Sequence, residues 1–291
     1  MSNKMQVFNK IHDLRERYYK SSKDKQSLLR IIMEAEIPEH VYNSNAIENS
    51  TLTLQETEKI ILQIDLDRYV SEREIFEAKN LARVMEYIDV KAKEKELDLD
   101  VILFFHKVLL LNINSDIAGR FRQGDEFVRV GTHIGAAPKD INNFLKDLLI
   151  KYRANNQEHI IKRISKLHLG FESIHPFIDG NGRIGRVINN FLLIREGYVP
   201  INIKYIDRAE YYDAFKEFDL NQKTEIMERI IGRALTSSYY KRLAYLEDKK
   251  IITLNDYAKK SKESHQNLLN KAKRQTIPAF REKGVWKIAS K

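Results

Sequence analysis

Nine consecutive residues of the 291-residue chain, 175–183 in "HPFIDGNGR", combine side chains that phosphate chemistry uses. The Gly-Asn-Gly at 180–182 precedes an apolar-periodic segment, which predicts a turn whose backbone N–H groups face one point at a helix N-terminus. Arg183 and Arg186 are three residues apart and share a face of the first helical turn. These features predict an anion site suited to a multiply charged phosphate.

Two further side chains of this segment add chemistry to the anion site. Asp179 supplies a hard carboxylate oxygen for Mg²⁺, which takes only one or two protein ligands beside water and phosphate. His175 titrates nearest neutrality and can accept a proton from an incoming hydroxyl, which contributes typically about 10²–10⁴ in rate. The set predicts phosphoryl or nucleotidyl transfer. Each residue alone has an ordinary structural interpretation, but chance does not account for nine fixed positions in one pattern.

The elements that must position this segment are mostly helical, because the chain has only 11 Gly and 5 Pro and long stretches of helical period. The second helix should stop before Pro38, and Thr53 with Glu56 forms a capping box for the third, which carries Ile60, Ile61 and Ile64. Segment 119–138 alternates apolar with polar residues and predicts a β-hairpin. Helices are predicted around 5–20, 26–37, from 53, 71–93, 99–111, 138–152, 158–173, 183–195 and 208–219.

The formal charge of +9 belongs to the C-terminal tail. Residues 249–291 contain 12 Lys or Arg and 3 Asp or Glu, so the rest of the chain sums to zero. Two short helices around "SKES", with Ser264 as N-cap, and two strands about a Glu-Lys-Gly turn predict a small winged helix-turn-helix-like module. Its charge fits either DNA or a docking protein, and the sequence leaves the two open.

Composition excludes several classes of function. The chain has no cysteine, so disulfides, thiolate nucleophiles and cysteine-ligated zinc are excluded, which fits a reducing compartment. No apolar run approaches the roughly 20 residues of a membrane span, and "MSNKMQVFNK" lacks the apolar core of a signal peptide. We expect a soluble, cytoplasmic protein without membrane contact. A metal-centred hydrolase built on His168 and His175 is disfavoured, because no carboxylate completes a convincing ligand set.

The pattern His-Pro-Phe-x-Asp-Gly-Asn-Gly-Arg-x-x-Arg resembles the signature of the Fic family at every fixed position. Most members of that family transfer AMP from ATP to a hydroxyl side chain of a target protein. The resemblance implies that His175 deprotonates a Tyr, Ser or Thr of the target and that Asp179 holds Mg²⁺ between the α- and β-phosphates. The arginines would bind the outer phosphates, which leave as pyrophosphate. The implied ATP-binding residues of the signature are Asp179, Gly180, Asn181, Gly182, Arg183, Ile184, Gly185 and Arg186.

Two segments outside the signature resemble other parts of the family. The segment "VRVGTHI" is similar to the flap that lies over the nucleotide and pairs with the target backbone. "RAEYYDAF" resembles the segment near the adenine, which implies Tyr211 and Tyr212 as base contacts. A family Asn that follows this pair has no clear counterpart, since Asp219 and Asn221 both lie nearby. The flap residues implied at the edge of the ATP site are Val130, Gly131, Thr132 and His133.

The segment "SNAIEN" introduces a regulatory prediction. Ser44 and Glu48 stand at i and i+4, and a solvated helix face is their plain interpretation. In the family, however, Ser/Thr-x-x-x-Glu-Gly/Asn marks an inhibitory helix, and Asn49 completes the match. The resemblance implies that Glu48, on a helix at about 40–49, pairs with Arg186, occupies the place of the γ-phosphate and inhibits in cis.

The resemblance covers roughly residues 35–235 and implies a mainly α Fic fold with a hairpin flap. We expect an N-terminal helical region over 1–95, a Fic core over 96–245 and the basic module over 246–291. Relatives that act as phosphotransferases have a bulkier residue at the second glycine of the Gly-Asn-Gly. The resemblance therefore implies that Gly182, which leaves the phosphate cradle open, favours AMP transfer. Removal of AMP, with Glu48 orienting a water, stays open, as does a DNA-binding regulator whose nucleotide site is a sensor. The identity of the target, self-modification and a homodimer also stay open.

Overall fold

The computed structural model describes residues 3–131 and 133–290, and its secondary structure is mainly helical, as predicted. The helices are α1 Asn3–Ser22, α2 Gln26–Ile47, α3 Leu54–Ile61, α4 Glu72–Lys91, α5 Leu99–Leu109, α6 Ile141–Ala154, α7 Ile160–Ile174, α8 Asn181–Arg195, α9 Arg208–Asn221, α10 Glu225–Leu246, α11 Leu254–Ser261 and α12 His265–Lys273. The strands are β1 Arg129–Val130, β2 His133–Ile134, β3 Lys250–Thr253, β4 Ala279–Glu282 and β5 Val285–Ser290.

The chain forms two compact units, residues 37–231 and residues up to 36 together with those from 232 onward. This division differs from the three consecutive segments expected from the sequence, because the first helices group with the C-terminal end. Charged contacts explain the grouping. Glu36 is buried and accepts a hydrogen bond from Arg242, and Lys241 lies 3.4 Å from Glu36 and 2.8 Å from Glu282. Buried charges of this kind must be paired, so they hold distant parts of the chain together.

Helix α8 is the central element of the unit that spans 37–231. Its residues are buried on every side from Arg183 to Ile194, and α4, α5 and α7 pack against it. A helix that is apolar around most of its circumference belongs in the middle of a bundle. Phe191 of α8, for example, lies edge-on to Phe105 of α5 with ring centroids 5.6 Å apart. The signature loop therefore leads into a helix that is buried along most of its length.

Several predicted element bounds differ from the structure. Helix α2 continues through Pro38 instead of stopping before it. A proline has no N–H to bond the carbonyl four residues earlier, here that of Glu34, which is an exposed residue. The capping box of α3 is confirmed at Thr53 and Glu56, but the helix ends at Ile61, and Ile64 is exposed beyond it.

Two elements were not predicted, namely α10 and β3. Helix α10 buries Met227, Ile230, Leu235 and Tyr239 at helical spacing, so the periodic signal was present in the sequence. Strand β3 pairs with β5, which also pairs with β4, in one antiparallel sheet of order β3-β5-β4. Its short run of Ile and Thr after a charged turn gives little pattern by itself.

Candidate active site

The signature loop is shaped by its own backbone and by Asn181. Gly180 has φ of 84°, a left-handed conformation that glycine adopts without strain, and it caps α8. The Asn181 side chain is buried, its Oδ1 accepting from the Phe177 N–H at 2.9 Å and its Nδ2 donating to the Phe177 carbonyl at 2.8 Å. Asn181 therefore fixes the conformation of the loop through these two hydrogen bonds. This differs from the expectation that its side chain holds phosphate oxygens.

His175 ends α7 in a left-handed conformation, with φ of 51°. Its Nδ1 lies 3.3 Å from the carbonyl oxygen of Glu172, which can only accept, so Nδ1 carries the proton and Nε2 keeps its lone pair. Burial, with help from the Arg122 charge, lowers the pKa of His175 to about 4 although the Glu172 carbonyl opposes the shift. The imidazole is therefore neutral at pH 7 and can accept a proton at Nε2.

Asp179 lies between two guanidinium groups. Its Oδ1 is 3.0 Å from Nη2 of Arg183, and its Oδ2 is 2.5 Å from Nη2 of Arg73. Burial alone would raise the pKa of Asp179, but the two arginines lower it below the ordinary value. An ionised oxygen donor of this kind suits Mg²⁺. Among the described residues, no group of three or more His, Cys, Asp or Glu is placed to bind a metal.

Arg186 is buried, and the segment that contains Ser44 and Glu48 accepts most of its hydrogen bonds. Nε donates to Ser44 Oγ at 2.9 Å, and Nη2 donates to the Ser44 carbonyl and to Glu48 Oε1, each at 2.9 Å. Nη1 donates to the hydroxyl of Tyr211 at 3.2 Å. Burial would lower the pKa of Arg186, but Tyr211 and Glu48 raise it above its ordinary value. The predicted pairing of Glu48 with Arg186 is thus a contact of this structure.

Arg183 faces away from open solvent. Its side chain is 4% exposed, and Nη1 pairs with Glu77 Oε1 at 3.0 Å while Nη2 pairs with Asp179. The resemblance implied that Arg183 binds an outer phosphate directly. In this arrangement both terminal nitrogens of Arg183 already face carboxylates, so such a direct contact does not fit it. Ile184, the next residue, is part of the apolar core.

Glycines of the signature make room for two carboxyl groups, those of Glu48 and Glu172. A Cβ on Gly182 would collide with Oε1 of Glu48, and one on Gly185 would lie 2.6 Å from Oε1 of Glu172. Asn49, directly after Glu48, has φ of 71°, a conformation that glycine and asparagine tolerate best. The Gly-or-Asn requirement of the inhibitory pattern therefore has a backbone cause.

The flap is the predicted hairpin, with Arg129 paired to Ile134 and Val130 to His133. Gly131 turns the chain with φ of 54°, and Thr132 lies outside the described residues. His133 contacts Asp219 of α9 through Nδ1 at 2.9 Å. Its Nε2 lies 3.2 Å from the Ser173 carbonyl.

The residues near the tyrosine pair divide into two groups. Asp219 faces the flap, whereas Asn221 bonds to Glu217 on the surface, so Asp219 is the one near the site. Tyr211 is 1% exposed, and its hydroxyl forms hydrogen bonds with the buried side chains of Arg186 and His168. This differs from its expected role as a base contact. Tyr212 is partly exposed and donates to the Ile47 carbonyl at 3.2 Å, so it alone of the pair can meet a base.

Sequence reasoning missed three buried residues around His175. His106 stacks on Phe177 with ring centroids 3.7 Å apart, accepts from the Gly119 N–H and meets the Asp179 carbonyl at 3.1 Å. Arg122 donates to the carbonyl of His175 at 2.8 Å and to that of Ala136 at 2.7 Å. Both residues lie far from the signature in sequence, and no local pattern marks them.

Glu172 is the third missed residue, and its position three residues before His175 was a usable signal. Its Oε2 lies 3.9 Å from Nδ1 of His175, and its buried Oε1 has no hydrogen-bond partner among the described residues. Burial first, and then the charge of Glu48, raise the pKa of Glu172 to about 8. The carboxyl group is therefore protonated at neutral pH.

The loop and its helix define a class of helical domain in which a histidine of lowered pKa and a glycine-capped helix N-terminus belong to one short segment. Residues 96–193 match the family model described as the Fic/DOC family. The chain belongs to the Fic/DOC family. Solved structures agree on the fold: a Fic domain containing signaling protein from Bacteroides thetaiotaomicron superposes with a TM-score of 0.74 at 23% identity, covering 83% of this chain and 98% of that one.

Other relatives extend the similarity beyond the domain. Fic-1 from C. elegans superposes with a TM-score of 0.72 at 25% identity, covering 84% of this chain and 72% of that chain. A protein adenylyltransferase Fic from Nematostella vectensis is 30% identical over 213 residues, which are 72% of this chain and 49% of the relative. One from Drosophila grimshawi is 30% identical over 231 residues, 74% of this chain and 47% of the relative. The chain spans about half the length of these two adenylyltransferases. Within the described residues, no helix combines the length and apolarity that a membrane crossing requires.

Proposed function

We propose that this protein is an autoinhibited adenylyltransferase that moves AMP from ATP to a Tyr, Ser or Thr hydroxyl of a target protein. The observation that carries the proposal is the neutral His175, whose Nε2 lone pair lies on the loop that opens α8. The names of the Nematostella and Drosophila relatives support the same activity.

The backbone N–H groups at 180–182 and the positive end of α8 would hold the phosphates of ATP. Asp179 would hold Mg²⁺, which would offset the phosphate charge near the reacting phosphorus. His175 takes the proton of the target hydroxyl at Nε2 while that oxygen bonds to the α-phosphorus. The bond from the α-phosphorus to the bridging oxygen breaks, and pyrophosphate leaves with the electron pair. Gly182 has no side chain, so the space beside it would be open to phosphate once Glu48, whose Oε1 lies there now, has moved.

Glu48 is the inhibitory residue in this mechanism. It accepts from Arg186 at 2.9 Å, and its carboxylate would repel an incoming phosphate. Ser44 strengthens the hold, since its hydroxyl and its carbonyl take two more donors of the same guanidinium. ATP must therefore exchange one anion for another at Arg186, and the isolated protein should be mostly inactive.

The test uses ATP labelled either on the α-phosphate or on the γ-phosphate. The Glu48→Gly variant, a target-containing host lysate and Mg²⁺ are incubated with each, with Glu48→Gly/His175→Ala as control. Adenylyl transfer retains only the α-label on protein, whereas phosphotransfer retains only the γ-label. A wild-type protein that strips the α-label from pre-labelled protein would instead assign removal of AMP, with Glu48 orienting the water. Absence of both labels and of stripping contradicts the proposal.

We propose DNA contact as a second, separate function of the basic module. Helix α12 begins at the predicted N-cap Ser264, whose Oγ accepts from the Asn267 N–H at 3.2 Å. The helix presents Gln266 and Asn270 to solvent, and side-chain amides of this kind read adenine edges. Strands β4 and β5 meet at an exposed Lys283-Gly284 turn, which would serve as the wing. These exposed polar groups favour DNA over an apolar protein contact.

A further inference from the structure

Four charged side chains close a ring beside the signature loop. Arg73 Nη2 lies 2.5 Å from Asp179 Oδ2, and Arg73 Nε lies 3.1 Å from Glu77 Oε1. Arg183 Nη1 lies 3.0 Å from the same Glu77 oxygen, and Arg183 Nη2 lies 3.0 Å from Asp179 Oδ1. Two cations and two anions alternate, so the ring is neutral. Each carboxylate is shared by both guanidinium groups.

The four members differ in their freedom to move. The Arg183 side chain is 4% exposed and that of Glu77 12%, whereas that of Arg73 is 59% exposed. Arg73 belongs to the first turn of α4, and Glu77 follows it by four residues on the same helix face. Arg73 can therefore leave Asp179 by a rotation of its exposed side chain. The departure of Arg183 would remove an ionic partner from the largely buried Glu77 carboxylate.

We propose that Arg73 is a further residue of the nucleotide site, a built-in cation that occupies Asp179 until a metal and phosphates arrive. The inference rests on the proposed use of Asp179 as a Mg²⁺ ligand. A divalent cation needs the Oδ2 that Arg73 now contacts, so the two positive groups compete for one oxygen. Glu77 keeps Nε of the displaced Arg73 nearby, which leaves a terminal guanidinium nitrogen close to the incoming phosphates.

The proposal predicts effects of opposite sign on metal and on nucleotide. Without Arg73, Asp179 is open and should bind a divalent cation alone more tightly. Without Arg73, the phosphates lose one cationic partner and should bind more weakly. A role confined to the stability of α4 would shift both affinities in the same direction or leave both unchanged. The pair is exposed on one side, so each change should be modest, about three- to fivefold.

The experiment compares Arg73→Ala, Arg73→Lys and the control Arg83→Ala, an exposed arginine ten residues further along α4. Mn²⁺ binding to the full chain without nucleotide is followed by electron paramagnetic resonance. Binding of an ATP analogue with a non-hydrolysable link between the α- and β-phosphates is then measured with Mg²⁺ in the Glu48→Ala background. We expect Arg73→Ala to bind Mn²⁺ about three- to fivefold more tightly and the analogue about three- to fivefold more weakly than the control. Arg73→Lys, which keeps the charge, should stay near wild type.

Either of two results overturns the inference: no gain in Mn²⁺ affinity over Arg83→Ala, or no loss of analogue affinity. Circular dichroism of each variant confirms that the helices are retained. Because Mn²⁺ binding requires no AMP transfer, the metal result stands even where the transferase assay fails. A failed transfer assay with the expected Mn²⁺ shift would therefore count against the proposed function alone.

Discussion

Oε1 of Glu48 accepts a hydrogen bond from Nη2 of Arg186 at 2.9 Å, although the two residues are 138 positions apart in the chain. The contact joins the residue that follows α2 to the second turn of α8. Together with Ser44 and Tyr211, which accept from Nε, Nη2 and Nη1, Glu48 leaves one of the five N–H groups of the guanidinium without an acceptor among the described residues. The proposed inhibition is thus a competition between a carboxylate and a phosphate for one cation.

Removal of the carboxylate should tighten ATP binding. In Glu48→Ala, Arg186 loses its carboxylate partner and the repulsion of an incoming phosphate disappears. We expect roughly fivefold to thirtyfold tighter ATP binding with Mg²⁺, equivalent to about 1–2 kcal/mol, measured by isothermal titration calorimetry. Glu34→Ala, at an exposed ion-paired glutamate of the same helix, serves as the control and should bind as wild type does. Equal affinity of the two variants would argue against inhibition by Glu48.

The pH dependence of AMP transfer should reflect the lowered pKa of His175. Burial is the main cause of its shift to about 4, so the neutral, proton-accepting form predominates throughout pH 5.5–7.5. We expect transfer by Glu48→Gly at saturating ATP to be nearly constant over that range and to fall only below it. Initial rates in a series of overlapping buffers test this. An acidic limb centred near the ordinary histidine value of about 6.5 would show that His175 is not the buried base.

Glu172 should make folding stability depend on pH. Its pKa is raised in the folded protein to about 8 from 4.5, mainly by burial, so between these values the folded state keeps a proton that the unfolded state has lost. Stability from this group is complete below pH 4.5 and is lost as pH rises toward 8. Relative to wild type, Glu172→Gln should therefore gain stability with rising pH, on the order of 1 kcal/mol per pH unit.

Urea unfolding at pH 5, 6 and 7.5 measures that trend. The exposed Glu86→Gln, on α4, is the matched control, because it removes the same charge without changing a buried group. A pH-independent difference between Glu172→Gln and wild type would contradict protonation of Glu172 in the folded protein.

Much of the fold and the core of the site could be predicted from sequence, because they rest on local patterns. The hairpin, the capping box at Thr53 and the N-cap at Ser264 are all found where the residues indicate them. The passage of α2 through Pro38 could not be predicted, since it depends on whether the carbonyl of Glu34 reaches water. That is a property of the folded surface.

The remaining parts of the site depend on distant contacts. The pattern marks Arg183 as a phosphate ligand, yet its partner Glu77 lies more than a hundred positions away, and nothing local links them. The contacts of Tyr211 also depend on the tertiary structure, because only the packing of α9 brings its hydroxyl against Arg186 and His168. Burial and ion pairing are set by the tertiary structure. A motif therefore predicts which of its own residues lie together but not which distant residues they contact.

DNA binding by the basic module should weaken when charge is changed on α12. We expect Gln266→Glu with Lys273→Glu to lower the affinity of the full chain for a duplex of about 30 base pairs by roughly tenfold at low salt. Fluorescence anisotropy at several salt concentrations measures it, and the wild-type affinity should fall steeply with salt. Asn143→Asp with Lys146→Glu, at exposed positions of α6, changes the net charge equally. The same loss in both pairs would indicate a general charge effect and no DNA site on α12.

The most direct test of adenylyl transfer is the intact mass of three proteins after incubation with ATP and Mg²⁺. Each protein is incubated alone and, separately, in host lysate from which it is then recovered. The lysate proteins are searched in parallel for a target that carries AMP. The proteins are wild type, Glu48→Gly and Glu48→Gly/His175→Ala. We predict that AMP appears on Glu48→Gly or its target, that wild type shows little, and that the double variant shows none. AMP added equally by the single and the double variant would contradict His175 as the base, and no AMP from any of the three on any protein would contradict adenylyl transfer.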